Sequence, residues 1–123
     1  MTIIEAINKN DLLKPNNFTQ MDKIIWLSIL DGIIKKEIID THEDAECVDF
    51  KGYDADTSLD TVLIVPFPYD DVYLKWLEAQ IDYVNGDTKR YENSMIAYNT
   101  AYSAFERFYN RTHMPKGKSF KFF

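Results

Sequence analysis

Cysteine, histidine, glycine and proline are all scarce in this chain of 123 residues, which contains one, two, four and four of them respectively. The single cysteine, Cys47, excludes an intramolecular disulfide and a four-thiolate zinc site. His42 and His113 lie far apart and have no partner at metal-ligand spacing. The few glycines form no phosphate-binding loop, Gly-x-Ser-x-Gly turn or dinucleotide fingerprint. We therefore expect no enzyme activity, no cofactor and no bound metal ion.

Long apolar runs are missing as well. No stretch approaches the ~20 apolar residues of a membrane span, and the opening residues, MTIIEAINKNDLLK, have no basic segment ahead of an apolar one. We expect a protein that is neither exported nor embedded in a membrane. Hydrophobic residues make up 46% of the chain and charged residues 28%, which is enough to bury one core in a single domain.

The formal net charge of −6 hides an uneven distribution along the chain. Acids dominate residues 40–60, where Lys51 is the only base, whereas residues 107–123 contain bases and no acid. The basic end of one copy could therefore attract the acidic segment of another copy, through a contact that weakens with salt. The plainer interpretation is two solvated segments.

The first half of the chain predicts two helices. Thr2 and Glu5 have the spacing of a capping box, so a short helix should run to about Asn8 and end before a Pro-Asn-Asn turn. Thr19 then caps a longer helix over Gln20–Ile39. The apolar residues of this helix cover more than one face, which indicates either burial on several sides or a subunit contact.

The second half predicts a helical hairpin. Pro66–Pro68 leads into a helix over Tyr69–Asn85, because proline is tolerated in the first turn. Gly86 stops this helix, and Asp87 caps a last helix over Thr88–Arg111. The tight turn places the two helices antiparallel. Alternating steps of four and three residues along the last helix form one continuous packing seam. The seam consists of Tyr91, Met95, Tyr98, Tyr102, Phe105 and Tyr109.

The first helix of this hairpin has two apolar stripes. The aliphatic stripe consists of Leu74, Leu77, Ile81 and Val84. The aromatic stripe consists of Tyr69, Tyr73, Trp76 and Tyr83. A single hairpin partner covers only one of these stripes well. The other stripe therefore requires either the helix Gln20–Ile39 or another subunit.

Helical periodicity is lost in residues 41–65. Cys47–Phe50 and Thr61–Val65 are strand-like and could pair as a short β-hairpin, although the segment could equally be an ordered loop. The predicted fold is therefore mainly α, a small helical bundle with a long antiparallel helical hairpin, that optional β-hairpin and an extended C-terminal arm. Residues 1–115 form the helical domain, and residues 116–123 form the arm.

The arm alternates lysine with phenylalanine, a composition that can follow a phosphate backbone while its rings stack on bases. The same composition suits an arm that lays its rings in a groove of a neighbouring subunit and its lysines on acids there. The terminal position favours this second interpretation. The candidate partner-binding residues combine the basic end with the aromatic stripe. They are Arg111, Lys116, Lys118, Phe120, Lys121, Phe122, Phe123, Trp76 and Tyr73.

Five segments carry a resemblance that covers most of the chain. They are KIIWLSILDG at 23–32, LIVPFPYDDVY at 63–73, QIDYVNG at 80–86, RYENS at 90–94 and YNRTHMP at 109–115. In these segments the chain resembles the head-tail connector proteins, also called adaptor or head completion proteins, of Firmicutes phages and prophages. None of the matching residues suggests catalysis.

The resemblance implies a non-enzymatic virion protein of a tailed phage. Such subunits assemble into a ring, commonly dodecameric, which docks under the portal protein, joins the downstream neck and tail proteins, and extends the DNA channel without sequence-specific binding. The expected location is the virion neck, after assembly in the host cytoplasm. Surplus apolar helix surface fits lateral contacts between identical subunits. The alternative is a helical protein–protein interaction module of a mobile element that binds a single partner.

Overall fold

The computed structural model describes residues 1–42 and 50–113, and these residues form a mainly helical bundle, as predicted. Within these two ranges, four α-helices follow one another. They are α1 (Ile3–Leu13), α2 (Gln20–Glu37), α3 (Asp71–Val84) and α4 (Thr88–Thr112). A short 3-10 helix at Ile39–Thr41 follows α2. Residues 47–49 of the first strand-like piece, Cys47–Phe50, and the arm at 116–123 lie outside the described residues.

The capping box predicted at the start of α1 is confirmed. The Thr2 hydroxyl accepts the Glu5 amide at 3.3 Å, and the Glu5 carboxylate accepts the Thr2 amide at 2.9 Å. The helix ends at Leu13 rather than near Asn8, so the predicted end was wrong. The buried face of α1 continues to Asn10 at helical spacing, and this continuation outweighs the polar residues that suggested an earlier stop.

The start of α2 has the same reciprocal arrangement. The Thr19 hydroxyl accepts the Asp22 amide at 3.1 Å, and Asp22 accepts the Thr19 amide at 3.2 Å. An aspartate thus takes the place that glutamate usually has in a capping box. The helix ends at Glu37, and the 3-10 helix continues the chain from Ile39, so the boundary lies within two residues of the predicted one.

The predicted hairpin of α3 and α4 forms the largest helix–helix contact among the described residues. Asp87 accepts the Arg90 amide at 3.1 Å and caps α4. In the seam of α4, Tyr98 and Phe105 are buried in the core. Three other seam residues are partly buried and pack against that core, namely Met95, Tyr102 and Tyr109. The seam therefore packs along its length on α3 and its neighbours.

Replacing Gly86 with alanine is expected to lower the free energy of unfolding by about 1 kcal/mol. Gly86 has φ +74, a conformation that costs an L side chain energy, and a Cβ there would meet no atom within 4 Å. The loss would therefore come from the backbone alone. Urea unfolding measures it. Gly86→Asn should lose less, since asparagine tolerates this region; an equal loss for both variants would contradict the backbone explanation.

Helix α3 is central, because it packs on α1, α2 and α4. Its aliphatic residues Leu74, Leu77 and Ile81 are buried, whereas Val84 at its end is exposed. The residues of the aromatic stripe pack against different parts of the bundle. Tyr73 is fully buried, and Tyr69 stacks on Phe108 of α4, with ring centroids 4.7 Å apart.

Residues 50–70 form a segment without regular strands that wraps the start of α1. Val62 forms an isolated antiparallel bridge with Thr2, and the Ile3 amide donates to the Thr61 carbonyl at 3.0 Å. Leu63 and Val65 are buried under this contact. The second strand-like piece therefore pairs with the start of the chain, and no hairpin is present among the residues that the structure describes. The backbone groups at the start of the chain need hydrogen-bond partners, and the segment Thr61–Val65 supplies them. The periodicity of the sequence cannot reveal this pairing.

Candidate interaction surfaces and a buried carboxylate

Asp31 is the centre of a buried polar network. Its side chain is fully buried and accepts hydrogen bonds from the Tyr73 hydroxyl at 2.6 Å, the Ile64 amide at 3.2 Å and the Tyr53 hydroxyl. The Tyr73 oxygen in turn accepts the Val65 amide at 2.7 Å. The network joins α2, α3 and the 50–70 segment, which lie far apart in sequence.

The surroundings of this network raise the pKa of its carboxyl group and of its two tyrosine hydroxyls. Burial raises the pKa of Asp31, while the hydrogen bonds from Tyr53, Tyr73 and the Ile64 amide oppose that rise. Burial and the nearby Asp31 also raise the pKa of both tyrosines. The three described donors to Asp31 carry no charge. Through these hydrogen bonds Asp31 links the 50–70 segment to α2 and α3.

A second buried polar side chain, His42, ties the end of the 3-10 helix to the last turns of α4. Its Nε2 lies 2.9 Å from Asn110 Oδ1, and its Nδ1 lies 2.5 Å from the Ile38 carbonyl oxygen. The ring packs edge-on against Tyr109, with centroids 4.5 Å apart. Both ring nitrogens thus have protein partners. Within residues 1–42 and 50–113, no group of three or more His, Cys, Asp or Glu side chains is placed to hold a metal ion.

The structure separates the candidate partner-binding residues from one another. Tyr73 is fully buried, so its side chain belongs to the core and not to a partner surface. Trp76 is partly buried, donates from Nε1 to the Trp26 carbonyl of α2 at 2.8 Å, and contacts the Tyr98 ring. The sequence left open whether the aromatic stripe packs on the second helix or on another subunit. Trp76 packs on the second helix, α2. Arg111 is exposed near the end of α4. The remaining candidates, at 116–123, lie outside the described residues.

One apolar surface is a row of exposed residues on α2. Met21, Ile25 and Ile29 are spaced four residues apart and thus lie on one helix face, and all three are exposed, Ile29 to 49%. We call this row the α2 stripe. The opposite side of α2 is buried in the core, so burial accounts for part of the excess of apolar residues in this helix, and the exposed α2 stripe is the remainder.

A second surface with exposed apolar side chains lies at the end of the bundle where α1 and α3 finish and α4 begins, and it consists of one mainly polar and one mainly apolar depression. Two adjoining clefts, of about 440 and 460 Å³, share Asp82 and Asp87 in their walls. Leu13, Tyr83 and Tyr91 line them as well. We call this pair of depressions, bounded by those five residues, the end cleft. Leu12 and Val84, next to it in sequence, are also exposed.

Polar contacts hold the floor of the end cleft. Asp82 is buried, pairs with Lys14 at 2.5 Å and accepts the Ser94 hydroxyl at 2.6 Å. These contacts join the end of α1 to α3 and α4, so they fix the positions of the helices around the cleft. Sequence reasoning missed this surface, because Leu13 lies beyond the predicted end of α1. In the sequence, Tyr83 belongs to the aromatic stripe and Val84 to the aliphatic stripe of the same helix. Because both lie at the end of that helix, their position was a signal that could have revealed the end cleft.

These features define a small helical bundle with two separate surfaces that expose apolar side chains and with a buried carboxylate network. Among the described residues, no helix is long and apolar enough to cross a membrane. Comparison with models of protein families, with curated proteins and with solved structures finds no match to this chain.

Proposed function

We propose that this chain is a structural virion protein of a tailed phage, a head-tail adaptor subunit that forms a ring under the portal and connects the capsid vertex to the tail. The observation that carries the proposal is the presence of two different surfaces with exposed apolar side chains, the α2 stripe and the end cleft, on one small helical bundle. The resemblance of its sequence to connector proteins supports the same function.

Two unlike surfaces favour a ring over a two-fold dimer. A dimer uses the same patch on both subunits, whereas a ring joins one patch to a different patch of the next copy. Exposed apolar side chains that lie together mark protein contacts in soluble domains. The α2 stripe and the end cleft belong to different parts of the bundle, so each can serve a different neighbour.

The negative net charge of the chain suits the inner surface of a channel through which DNA passes. A net charge of −6 disfavours adhesion of the phosphate backbone. Exposed carboxylates such as Asp54, Asp56 and Asp60 lie on the 50–70 segment. In a ring they would contribute to an acidic surface, while the arm at 116–123 contacts a neighbouring subunit or the portal.

We expect the purified protein to form rings of defined size. Light scattering coupled to size exclusion measures the mass, and negative-stain electron microscopy the symmetry. The double variant Ile25→Glu and Ile29→Glu should raise the concentration needed for assembly at least about tenfold, because each change places a charge in an apolar contact. The circular dichroism spectrum should stay unchanged, since both side chains are exposed.

Ile96→Glu is the matched control, because Ile96 is also an exposed isoleucine but lies on a different helix, α4, beside Asn99 and Thr100. It should assemble like the unaltered protein. A monomer at all concentrations, with no binding to a portal ring, would exclude the adaptor function. A monomer that binds one other protein tightly would instead support the interaction module of a mobile element.

A further inference from the structure

We propose that the end cleft of one subunit binds the C-terminal arm, residues 116–123, of a second copy of this chain. This inference rests on the proposed function, because it names the contact that would join one subunit of the ring to the next. Three properties of the described residues support it: the apolar side chains in the walls of the cleft, the charges along it, and the distance from the cleft to the start of the arm.

The walls of the end cleft suit aromatic side chains. Leu13 and Pro15 line one depression, and Tyr83 and Tyr91, whose ring centroids are 5.3 Å apart, line the other. Leu13 and Tyr83 are both about two-thirds exposed, at 66% and 65%. Burial of such surfaces against the rings of the arm would remove apolar area from water on both partners. The rings available in the arm are Phe120, Phe122 and Phe123.

The charges of the end cleft complement the lysines of the arm. Its bases are already engaged, Lys14 with Asp82 at 2.5 Å and Arg90 with Asp87 at 3.4 Å. Glu78 also lines the cleft and makes no ion pair within the part of the chain that the structure describes. It is therefore the acid that Lys118 or Lys121 would meet, while the rings of the arm pack beside Tyr83 and Tyr91 in the other, mainly apolar depression.

The length of α4 points to a second copy as the source of the arm. The helix runs from the cleft at Thr88 to Thr112, a distance of about 36 Å at ~1.5 Å per residue. From His113, Phe120 can reach no more than about 25 Å along a fully extended chain. The arm of the same subunit could bring its last rings to the cleft only at near-full extension. A neighbour placed head to tail brings all of them there, which is also the arrangement that closes a ring.

A charge exchange tests the contact in the full-length protein. Glu78→Lys alone, and Lys118→Glu with Lys121→Glu, should each raise the concentration needed for assembly about tenfold, because like charges then meet. The combination of all three changes should restore assembly to within about threefold of the unaltered protein. Glu92→Lys, on an exposed part of α4, is the matched control and should leave assembly unchanged. Independent losses without restoration would overturn the proposal.

Zero-length carbodiimide crosslinking of unaltered protein identifies which copy supplies the arm. Equal amounts of ¹⁴N- and ¹⁵N-labelled chains are mixed, assembled and crosslinked, and the linked peptides are identified by mass spectrometry. Links from Lys118 or Lys121 to Glu78 that combine both labels are the expected result. Links within one label only would overturn the choice of a second copy. Rings that form without such links would overturn the inference and leave the adaptor function standing, whereas absence of any oligomer would exclude both.

Discussion

Replacing Asp31 with alanine is expected to lower the free energy of unfolding by about 3 kcal/mol. The change leaves the hydroxyls of Tyr53 and Tyr73 and the Ile64 amide without their acceptor inside the protein, and each buried unpaired donor costs roughly 1–3 kcal/mol. The loss is reduced because a buried carboxylate no longer has to be desolvated. Urea unfolding followed by circular dichroism measures the change.

Asp31→Asn is the matched control for that experiment. The amide keeps the shape and one acceptor oxygen, so the loss should be about half that of alanine. Its size should also depend on pH. Because the pKa of Asp31 is raised in the folded protein, the native state binds this proton more tightly. The stability of the unaltered protein therefore falls as pH rises from about 4 through the folded pKa.

The asparagine variant lacks this titration, so its deficit relative to the unaltered protein should be larger near pH 4 than near pH 7. Equal deficits at both values would mean that the pKa of the carboxyl is not raised by folding. An alanine variant as stable as the unaltered protein would show that the network contributes nothing. The network would then have no role in holding the 50–70 segment on α2 and α3.

Alkaline solution is expected to destabilise this protein steeply above about pH 10. Burial raises the pKa of Tyr53 and Tyr73 above the ordinary value of 10.0, and the neighbouring Asp31 raises both further. Burial likewise raises the pKa of Tyr98 to about 12, and burial and Glu37 raise that of Tyr102. In the unfolded chain these hydroxyls lose their protons near pH 10, while in the folded protein they keep them.

The sign of the effect follows from proton counting. Above pH 10 the native state binds more protons than the unfolded state, so the free energy of unfolding falls as pH rises. Each tyrosine that stays protonated contributes a slope of roughly 1.4 kcal/mol per pH unit. Tyr73, the most buried of the set, should contribute fully, and partly exposed Tyr102 less. Urea unfolding at a series of pH values from 8 to 11.5 measures the slope.

Tyr53→Phe separates the titration from other alkaline effects. It removes one titrating hydroxyl from the Asp31 network, so the variant should be less stable at pH 8 but lose stability less steeply above pH 10. A slope equal to that of the unaltered protein would show that Tyr53 does not resist ionisation in the folded state. Stability that stays constant from pH 9 to 11 would contradict the raised tyrosine pKa values altogether.

Local chemistry alone was sufficient to locate the four helices, except for the end of α1. The capping pairs Thr2 with Glu5 and Thr19 with Asp22, and the Gly86 stop, act over three or four residues, so they are visible in sequence and appear in the structure. The seam of α4 is equally local, because side chains three and four apart share a helix face. The mainly helical fold and the antiparallel hairpin of α3 and α4 follow from such signals.

Contacts between distant parts of the chain could not be predicted in this way. Asp31 and Tyr73 are 42 positions apart, and no periodicity relates them. The sequence placed Tyr73 in a stripe that needed either α2 or another subunit, and only the packing of α3 on α2 decided that it is a core residue. The segment from Thr61 to Val65 likewise pairs with the start of α1, where unpaired backbone groups were available.

The same distinction between local and long-range information applies to the candidate interaction surfaces. The sequence by itself determined that α2 carries more apolar residues than one buried face needs, that charge is unevenly distributed, and that residues 116–123 form a basic aromatic segment. Tertiary structure alone decided which of those apolar residues remain exposed, and that the ends of α1 and α3 meet the start of α4 at a cleft. The reason is physical: helical periodicity is set within one element, whereas exposure depends on which elements pack against it.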